Sequence, residues 1–401
     1  MTLSTLTAQV PSAAGLDPTD CSAWQEIASL WECRDDTNYL NHGSFGLTPT
    51  PVREYRRQLV LEQDQQPMDF YVRKLEPLNE AARRQTAALL GTDYRNLVFV
   101  ENATYGMNVV AESFPLSAGD EILLNPHEYG AVRRIWERKA KQLGCKVIDA
   151  ALPEKIESPQ QVIDCLKAAV TERTRLLVVS HITSPTAIIF PVQELCQQFR
   201  ELGVATCVDG PHAPAHVDID LDEFGCDFYT ASCHKWLCAP LGSGFCFAHP
   251  RWHDVMQPPL KSWGRMLPAI PESWDEEFTW SGTRDFSQYL SIPVAIDFIQ
   301  AIGIQQFRER CFWLSRTARQ ELIRITGCEP IAPESMYGCM AHVPLPAGDH
   351  SGLQQQLWQN LGIEVPIIDF EGRWYVRVSC HLYIHMRQIE VLLGAIREYL
   401  K

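Results

Sequence analysis

The chain has 401 residues, of which 46% are hydrophobic and 21% are charged, and its formal net charge is −14. This composition is typical of a globular protein of two or three domains, and the acidic balance argues against a nucleic acid or an anionic membrane as partner. Fourteen cysteines include no pair with CxxC spacing, so we expect free thiols in a reducing, cytoplasmic compartment. No apolar run approaches 18 residues and no signal peptide is recognisable, so the sequence predicts no membrane span.

The hydrophobic pattern of the sequence changes several times in the first half of the chain. Residues 1–37 are predicted to form a polar arm with one short helix, and residues 38–51 a loop rich in Asn, Gly, Ser and Pro. Residues 52–91 carry the apolar spacing of a helix. From residue 97 to about residue 245, apolar runs such as "NLVFV", "EILL" and "LLVVS" alternate with helical segments. Such alternation predicts an α/β fold with a mostly parallel sheet covered by helices on both faces.

After about residue 300, long helical patterns flank short strands, and a last helical pattern closes the chain. We therefore expect three parts: an N-terminal arm and active-site loop over residues 1–50, a large domain over residues 51–300, and a smaller α+β domain over residues 301–401.

Polar clusters follow the predicted strands of the large domain, where ligands collect at the carboxyl ends of a parallel sheet. The clusters are Asn102-Ala103-Thr104, His127-Glu128-Tyr129, Ser180-His181, Asp209-Gly210-Pro211-His212 and Ser232-Cys233-His234-Lys235. Five polar clusters at one edge of one sheet favour a binding site there.

Lys235 is one of only nine lysines, and it follows a predicted strand between His234 and Trp236. Burial would lower the pKa of its amine and make it a nucleophile, although composition alone favours a salt-bridge partner at a loop. Asp209 at the end of another apolar strand shifts the balance, even though a turn carboxylate is its ordinary role. A Schiff-base lysine and an aspartate facing a pyridinium nitrogen are the pair that pyridoxal phosphate requires.

A phosphate needs donors without an acidic neighbour. Asn102, Ala103 and Thr104 lie at a strand-to-helix turn, where free N–H groups favour an anion, and a simple helix cap is the alternative. Ser232 and His234 can add side-chain donors.

Eight motifs between residues 39 and 385 resemble the class V aminotransferase-fold enzymes of fold type I, and most closely the isopenicillin N epimerase-like branch. They are "YLNHGSFGLTPTPV", "ENATYGMNVV", "HEYGAV", "SHITSPTAIIFPV", "VDGPHAPAHVDIDL", "SCHKWLCAPLGSGF", "WSGTRDFSQYLSIPVAIDF" and "YVRVSCHLYIH". The resemblance implies a pyridoxal 5'-phosphate enzyme that acts as a homodimer with a shared active site on a small amino-acid-like substrate.

The resemblance also implies roles for single residues. Lys235 would form the Schiff base, Asp209 would pair with the pyridinium nitrogen, His212 would lie near the phenolic oxygen, and Tyr129 would stack on the ring. The remaining expected contacts are Asn102, Ala103, Thr104, Ser184, Ser232 and His234 with the cofactor, Gly282 and Thr283 with the phosphate of the partner subunit, and Asn41, His42 and Arg377 with the substrate.

The reaction is left open among epimerisation, transamination and C–S bond cleavage, all of which begin at the substrate α-carbon. Cysteine desulfurases of the family carry a Cys shortly before the carboxylate-binding Arg, and "LGIEVPIIDFEGRWYVR" has none, which disfavours persulfide chemistry. Two alternatives are a non-catalytic binding protein of the same fold and a metal protein built on Cys233, His234 and Cys238. We expect no metal, because these three residues have no matched second pair.

Overall fold

The computed structural model describes residues 10–265 and 270–401. The first nine residues of the predicted N-terminal arm therefore lie outside the described part of the chain. The described strands are β1 (Asn38–Tyr39), β2 (Leu97–Val100), β3 (Glu121–Leu124), β4 (Lys146–Asp149), β5 (Thr174–Ser180), β6 (Ala205–Asp209), β7 (Phe228–Ser232), β8 (Gly244–Ala248), β9 (Met340–Pro344), β10 (Ile363–Glu364), β11 (Ile367–Phe370) and β12 (Arg373–Ser379).

Seven of these strands form the central sheet, in the order β2-β8-β7-β6-β5-β3-β4. Strands β3 to β7 pair in parallel, and only β8 runs antiparallel to its neighbours β7 and β2. The predicted mostly parallel α/β fold is thus confirmed. The parallel arrangement brings the carboxyl ends of β5, β6 and β7 to one edge of the sheet.

Both faces of the central sheet are buried, because alternate residues of each strand enter different apolar clusters. Leu97 and Phe99 of β2 pack in one cluster, while Val98 and Val100 pack in the other. This accounts for the continuous apolar runs in the sequence, since a strand covered on both faces has no solvent side. Only the edge strand β4 is partly exposed along its length.

Helices cover the sheet and build most of the rest of the chain. The described α-helices are Gln25–Ala28, Thr50–Gln65, Pro67–Asp69, Leu75–Leu89, Ala103–Ser113, Gly130–Leu143, Pro159–Ala168, Val192–Glu201, Leu221–Phe224, Trp274–Glu277, Ser287–Leu290, Ile292–Ile302, Ile304–Thr326, Leu353–Leu361 and Met386–Tyr399. Short 3-10 turns occur at Tyr94–Asn96, Pro250–Val255 and Glu334–Met336, and a π-helical turn at Phe70–Lys74. The helix predicted over residues 52–91 is therefore interrupted, because Pro67 disfavours helical dihedrals at Gln66, whose φ is −149°.

No single helix in the described ranges has the length and apolar composition needed to cross a bilayer. Only the pair Ser287–Ile302 and Ile304–Thr326 meets that test jointly, and its two parts meet at a bend of 78°.

The C-terminal part adds a three-stranded antiparallel sheet in the order β11-β12-β9. The short strand β10 pairs in parallel with β1, so the N-terminal segment is joined to the C-terminal part of the chain. The sequence analysis did not predict β10 or β11. The helix Ile292–Ile302 crosses the predicted domain boundary at residue 300, and that boundary stays a prediction.

The loop after β1 packs tightly against the turn that follows β7. His42 Nε2 lies 2.9 Å from the carbonyl oxygen of Lys235. A Cβ atom added to Gly46 would lie 2.7 Å from the same oxygen and inside van der Waals contact of His234 O. Only a glycine fits there, because backbone atoms cannot move aside as a flexible side chain can.

We predict that Gly46→Ala lowers the free energy of unfolding by about 1–3 kcal/mol, since the added methyl forces the loop away from the turn. Urea denaturation followed by circular dichroism measures the change. Gly394→Ala is the matched control, because nothing lies within 4 Å of its added Cβ and an alanine favours its helix. Equal behaviour of the two variants would contradict the close contact at Gly46.

Candidate active site

A cavity of about 620 Å³ opens at the carboxyl ends of the central strands. It is lined by Gly43, Ser44, Phe45, Asn102, Ala103, Thr104, Tyr129, Ser184, Asp209, Pro211, His212, Ser232, His234, Lys235, Leu241 and Arg377. A second cavity of the same volume lies beside the helix Ile304–Thr326, but none of the residues predicted for the site lines it. What distinguishes the first cavity is its lining, which contains eleven of the fifteen predicted residues.

Lys235 lies in the turn after β7, where the chain leaves the sheet at its carboxyl edge. Its Nζ is 3.1 Å from Nε2 of His212. Burial, reinforced by the positive charge of Arg377 and opposed by Asp209, lowers the pKa of Lys235 to about 7. A large fraction of this amine is therefore uncharged at neutral pH, which is the state a nucleophile needs.

Asp209 is the last residue of β6 and is buried beside the cavity. Burial raises the pKa of its carboxyl to about 7, while the charge of Lys235 and a 3.4 Å hydrogen bond from Thr230 Oγ1 oppose the shift. It is the only carboxylic acid among the described residues that line the cavity. A positively charged ring nitrogen next to it would favour the ionised carboxylate.

Glu128 lies near Asp209 and was not predicted as a site residue. Its carboxyl accepts hydrogen bonds from Asn125 Nδ2 at 2.5 Å, Ser180 N at 3.1 Å and Ser180 Oγ at 2.6 Å. Burial raises the pKa of Glu128 to about 8 against the lowering effect of these donors. The contacts tie the loop after β3 to the end of β5 and so support the adjacent Tyr129. No sequence signal separates Glu128 from its neighbours in the cluster.

Hydrogen-bond donors surround the part of the cavity at the N-terminus of the helix Ala103–Ser113. Asn102 caps that helix by accepting from the Tyr105 amide, and the Ala103 amide donates to Ser232 Oγ at 3.0 Å. Nδ1 of His234 is buried and has no hydrogen-bond partner among the described residues. The Ser232 hydroxyl and the unpaired His234 ring nitrogen, next to this helix N-terminus, fit a phosphate group.

Arg377, in β12, enters the cavity from the C-terminal sheet and is buried. Its guanidinium donates to Ser44 Oγ at 2.8 Å and to Ser184 Oγ at 3.5 Å, and also to the Ser184 carbonyl. Burial lowers the pKa of Arg377 to about 10, so the group stays charged at neutral pH. Because its described partners are neutral oxygens, this cation remains available to an anionic ligand. Ser44 was missed by the sequence analysis, although it lies within the quoted motif "YLNHGSFG".

Four predicted residues do not line the cavity. The ring nitrogens of His42 contact Tyr383 OH and the Lys235 carbonyl oxygen, each at 2.9 Å, which gives His42 a structural position behind the lysine instead of the expected place at the entrance. Asn41 is also buried outside the lining, and its Nδ2 donates a hydrogen bond to Glu364 Oε1 at 3.3 Å. Gly282 and Thr283 lie in a loop outside the described lining, and Thr283 is exposed.

The alternative metal site on Cys233, His234 and Cys238 does not form. Among the described residues, the group of three possible ligands within reach of one ion is His42, Cys238 and His381. The His42 and His381 rings are stacked with centroids 4.0 Å apart and planes inclined by 17°. Lone pairs of nearly parallel rings do not converge on one ion, so this cluster lacks tetrahedral geometry.

Comparison with known proteins agrees with the predicted fold and family. The model of the family described as aminotransferase class-V matches residues 71–373. An isopenicillin N epimerase of Amycolatopsis lactamdurans is 38% identical over 397 residues, covering 95% of this chain and 99% of that protein. A putative L-cysteine desulfhydrase of Oryza sativa subsp. japonica is 30% identical over 405 residues, covering 90% of this chain and 82% of that protein.

One solved structure similar to this chain is the apo cysteine desulfurase from Thermococcus onnurineus NA1. The TM-score is 0.80 at 20% identity, and the match covers 94% of this chain and 97% of that one. At this identity the likeness concerns the fold alone.

The lowered pKa of Lys235 predicts an unusual pH dependence for its reaction with an aldehyde. In protein stripped of bound cofactor, the rate of reaction with pyridoxal phosphate should rise about tenfold per pH unit below pH 7 and then level off, since the amine is uncharged above its pKa. Stopped-flow absorbance measures the rate, and Lys235→Ala identifies the phase that belongs to this lysine. A rate that keeps rising towards pH 10 would indicate an ordinary exposed amine.

Proposed function

This chain belongs to the class V aminotransferase family of pyridoxal 5'-phosphate enzymes, and from that premise we propose that it binds an amino acid or amino-acid derivative at Lys235 and changes the bonds of its α-carbon. The observation that carries the proposal is the convergence of Lys235, Asp209 and Arg377 on one cavity. When bound, pyridoxal phosphate joins the substrate amine and withdraws electrons from the α-carbon.

The lining residues fit the cofactor in the positions that the family resemblance implies. Lys235 would hold it covalently, and Asp209 would keep the pyridine nitrogen protonated. Tyr129 would cover one face of the ring, and His212 would face its phenolic oxygen. The proposed phosphate donors and remaining cofactor contacts are Asn102, Ala103, Thr104, Ser184, Ser232 and His234.

Lys235 is also the proposed base. With a pKa of about 7, a large fraction of its amine is uncharged at neutral pH, and such an amine could accept the α-proton of a bound substrate. Arg377 would hold the substrate carboxylate through its planar fork and so orient the α-carbon towards the lysine.

We propose epimerisation at the α-carbon as the first candidate reaction. The epimerase relative supports it, because it matches nearly the whole of both chains. Elimination at a C–S bond is the second candidate, supported by the desulfhydrase relative. Persulfide transfer is disfavoured, because no cysteine is among the described residues that line the cavity and residues 361–376, just before Arg377, contain none.

Incubation of the holoenzyme with a panel of L- and D-amino acids and thioethers in D₂O tests the proposal. We expect deuterium at the α-carbon together with conversion between the two enantiomers, measured by mass spectrometry and chiral chromatography. Release of thiol and keto acid would select the elimination instead, and keto acid alone would indicate transamination. An absence of exchange with every substrate would favour the non-catalytic alternative and contradict the proposal.

L-cysteine provides a separate test of the persulfide route. Sulfide release without a protein-bound persulfide agrees with direct C–S cleavage. A persulfide on one cysteine, detected by mass spectrometry and lost when that cysteine is changed to Ser, would show that a thiol reaches the cavity after all.

The proposed role of Arg377 predicts a graded loss of substrate binding. Arg377→Ala should cost on the order of 2–5 kcal/mol, because the substrate carboxylate loses a charge-assisted pair. Arg377→Lys should recover only part of this, because an ammonium cannot present two parallel donors. Binding titrations measure both effects. The matched control is the decarboxylated amine, which should bind wild type weakly and the variants no worse.

We also propose that the site is completed in a homodimer. Gly282 and Thr283 stay outside the cavity of their own chain, and the apolar side chains at the mouth are open, with Phe45 64% and Leu241 54% exposed. Both features suit a partner subunit seated over the mouth.

The fourteen free cysteines support a reducing, cytoplasmic location for such an enzyme.

Thr283→Ala should weaken cofactor retention about 10- to 100-fold, as expected for losing one hydrogen bond to a charged group. Dialysis followed by absorbance measures the retention, and Ser281→Ala on the same segment is the control. A fully active monomer with bound cofactor at working concentration would contradict the shared site.

A further inference from the structure

The indole of Trp236 is completely buried directly behind the cavity, among histidines. Its ring centroid lies 4.6 Å from that of His216 and 5.2 Å from that of His42. Its Nε1 lies 3.4 Å from Nδ1 of His212. Trp236 immediately follows Lys235, so the same turn presents the amine to the cavity and the indole to the histidine behind it.

An indole N–H can only donate a hydrogen bond. Nδ1 of His212 must therefore offer a lone pair to Trp236, and in the neutral ring the proton then resides on Nε2. That nitrogen is 3.1 Å from Lys235 Nζ, and both residues line the cavity. The arrangement makes His212 a hydrogen-bond donor towards the lysine and towards any ligand beside it.

The charged form of His212 is disfavoured by the same geometry. A second proton would sit on Nδ1 and point at the indole N–H. Burial is the main cause that lowers the pKa of His212 well below its usual value, and the charged or titratable groups around it, Lys235, Arg377, His216 and His234, add to the effect. Asp209 is the only carboxylic acid in the described lining, and it faces the same cavity.

The backbone of His212 is held in place by the next histidine. His216 Nδ1 donates to the His212 carbonyl oxygen at 3.1 Å, and His216 Nε2 accepts from the Cys339 amide at 2.7 Å. His216 therefore carries its proton on Nδ1, opposite to His212. A Cβ on Gly338 would overlap the His216 ring, so this position is closely packed. These contacts fix the position of the His212 backbone relative to Trp236.

We propose that Trp236 is a positioning residue that fixes His212 in its Nε2-protonated tautomer, so that the imidazole donates a hydrogen bond to the phenolic oxygen of bound pyridoxal phosphate. The inference rests on the proposed function, because it needs the cofactor to lie against His212. The inference adds Trp236, which is not among the described lining residues, and it assigns to Trp236 control over which ring nitrogen of His212 carries the proton.

The same tautomer matters before the cofactor binds. A charged Lys235 can only donate and would need a lone pair on His212 Nε2. The hydrogen bond from Trp236 to Nδ1 places the ring proton on Nε2, so that lone pair is not available. The neutral amine, which accepts from Nε2–H, is the form that fits.

A donor to the phenolic oxygen stabilises its negative charge, and this charge is least compensated when the lysine–cofactor link has lost its proton. Loss of the donor should therefore raise the pKa at which the visible absorbance of the holoenzyme changes. The loss of one hydrogen bond to this oxygen corresponds to a shift of about one pH unit.

The first experiment is the pH titration of holoenzyme absorbance in a double-mutant cycle. Trp236→Phe removes the donor and keeps an aromatic ring, and it should raise the spectral pKa by about one unit. His212→Gln supplies an amide donor that needs no tautomer. In that background the same Trp236→Phe change should leave the spectral pKa nearly unmoved. An equal shift in both backgrounds would mean that Trp236 acts by packing alone, which would overturn the proposal.

The second experiment needs no cofactor and no tryptophan variant. Long-range ¹⁵N NMR of cofactor-free protein labelled in histidine reports which ring nitrogen carries the proton, and the His212 signal is identified by its loss in His212→Gln. A proton on Nε2 supports the proposal, and a proton on Nδ1 overturns it. Because this measurement is independent of catalysis, it separates a wrong tautomer from a wrong reaction.

Discussion

Two basic side chains, the buried Arg377 and the half-buried Lys235, line one cavity whose described lining holds a single carboxylic acid, Asp209. Removing a charge from water is costly, and a side chain that can lose its proton does so. Lysine can, and its pKa falls to about 7, whereas arginine keeps its charge even with its pKa lowered to about 10. The same loss of hydration therefore leaves Lys235 able to lose its proton near neutral pH, whereas Arg377 keeps its charge.

Neutral oxygens hold the arginine in place and leave its charge uncompensated. A buried guanidinium usually has a carboxylate partner, and here its described partners are Ser44 and Ser184. Such an arrangement costs stability in the empty protein and favours an incoming anion. Ser44 lies in the loop after β1. This loop is held in place by the pairing of β1 with β10 and by the contact of Gly46 with the turn that carries Lys235. The cavity thus depends on the N-terminal loop as much as on the central sheet.

The sequence patterns predicted the sheet well because periodicity reports burial, and a strand covered on both faces can only be apolar. The same patterns placed Lys235, Asp209, His212 and Ser232 near the carboxyl edge, where the order of strands then brought them together. Loop side chains were harder to place. The segment "NHGSFG" contains no signal that His42 contacts the Lys235 carbonyl oxygen or that Ser44 accepts a hydrogen bond from Arg377. Both contacts depend on packing with residues far away in the sequence. Strand β10 has only two residues, too few for a periodic signal.

The contact between Ser44 and Arg377 joins residues 333 positions apart. Residue 44 leaves the ribosome long before residue 377, and loop closure over such a separation is slow and entropically costly. Strand β6, which ends at Asp209, and strand β7, which precedes the turn with Lys235, emerge much earlier and pair with strands that are close in the chain. During synthesis, the elements that fit the cofactor can therefore assemble well before the group that fits the carboxylate. A nascent chain of this kind would gain a place for the cofactor before it gains a place for the substrate.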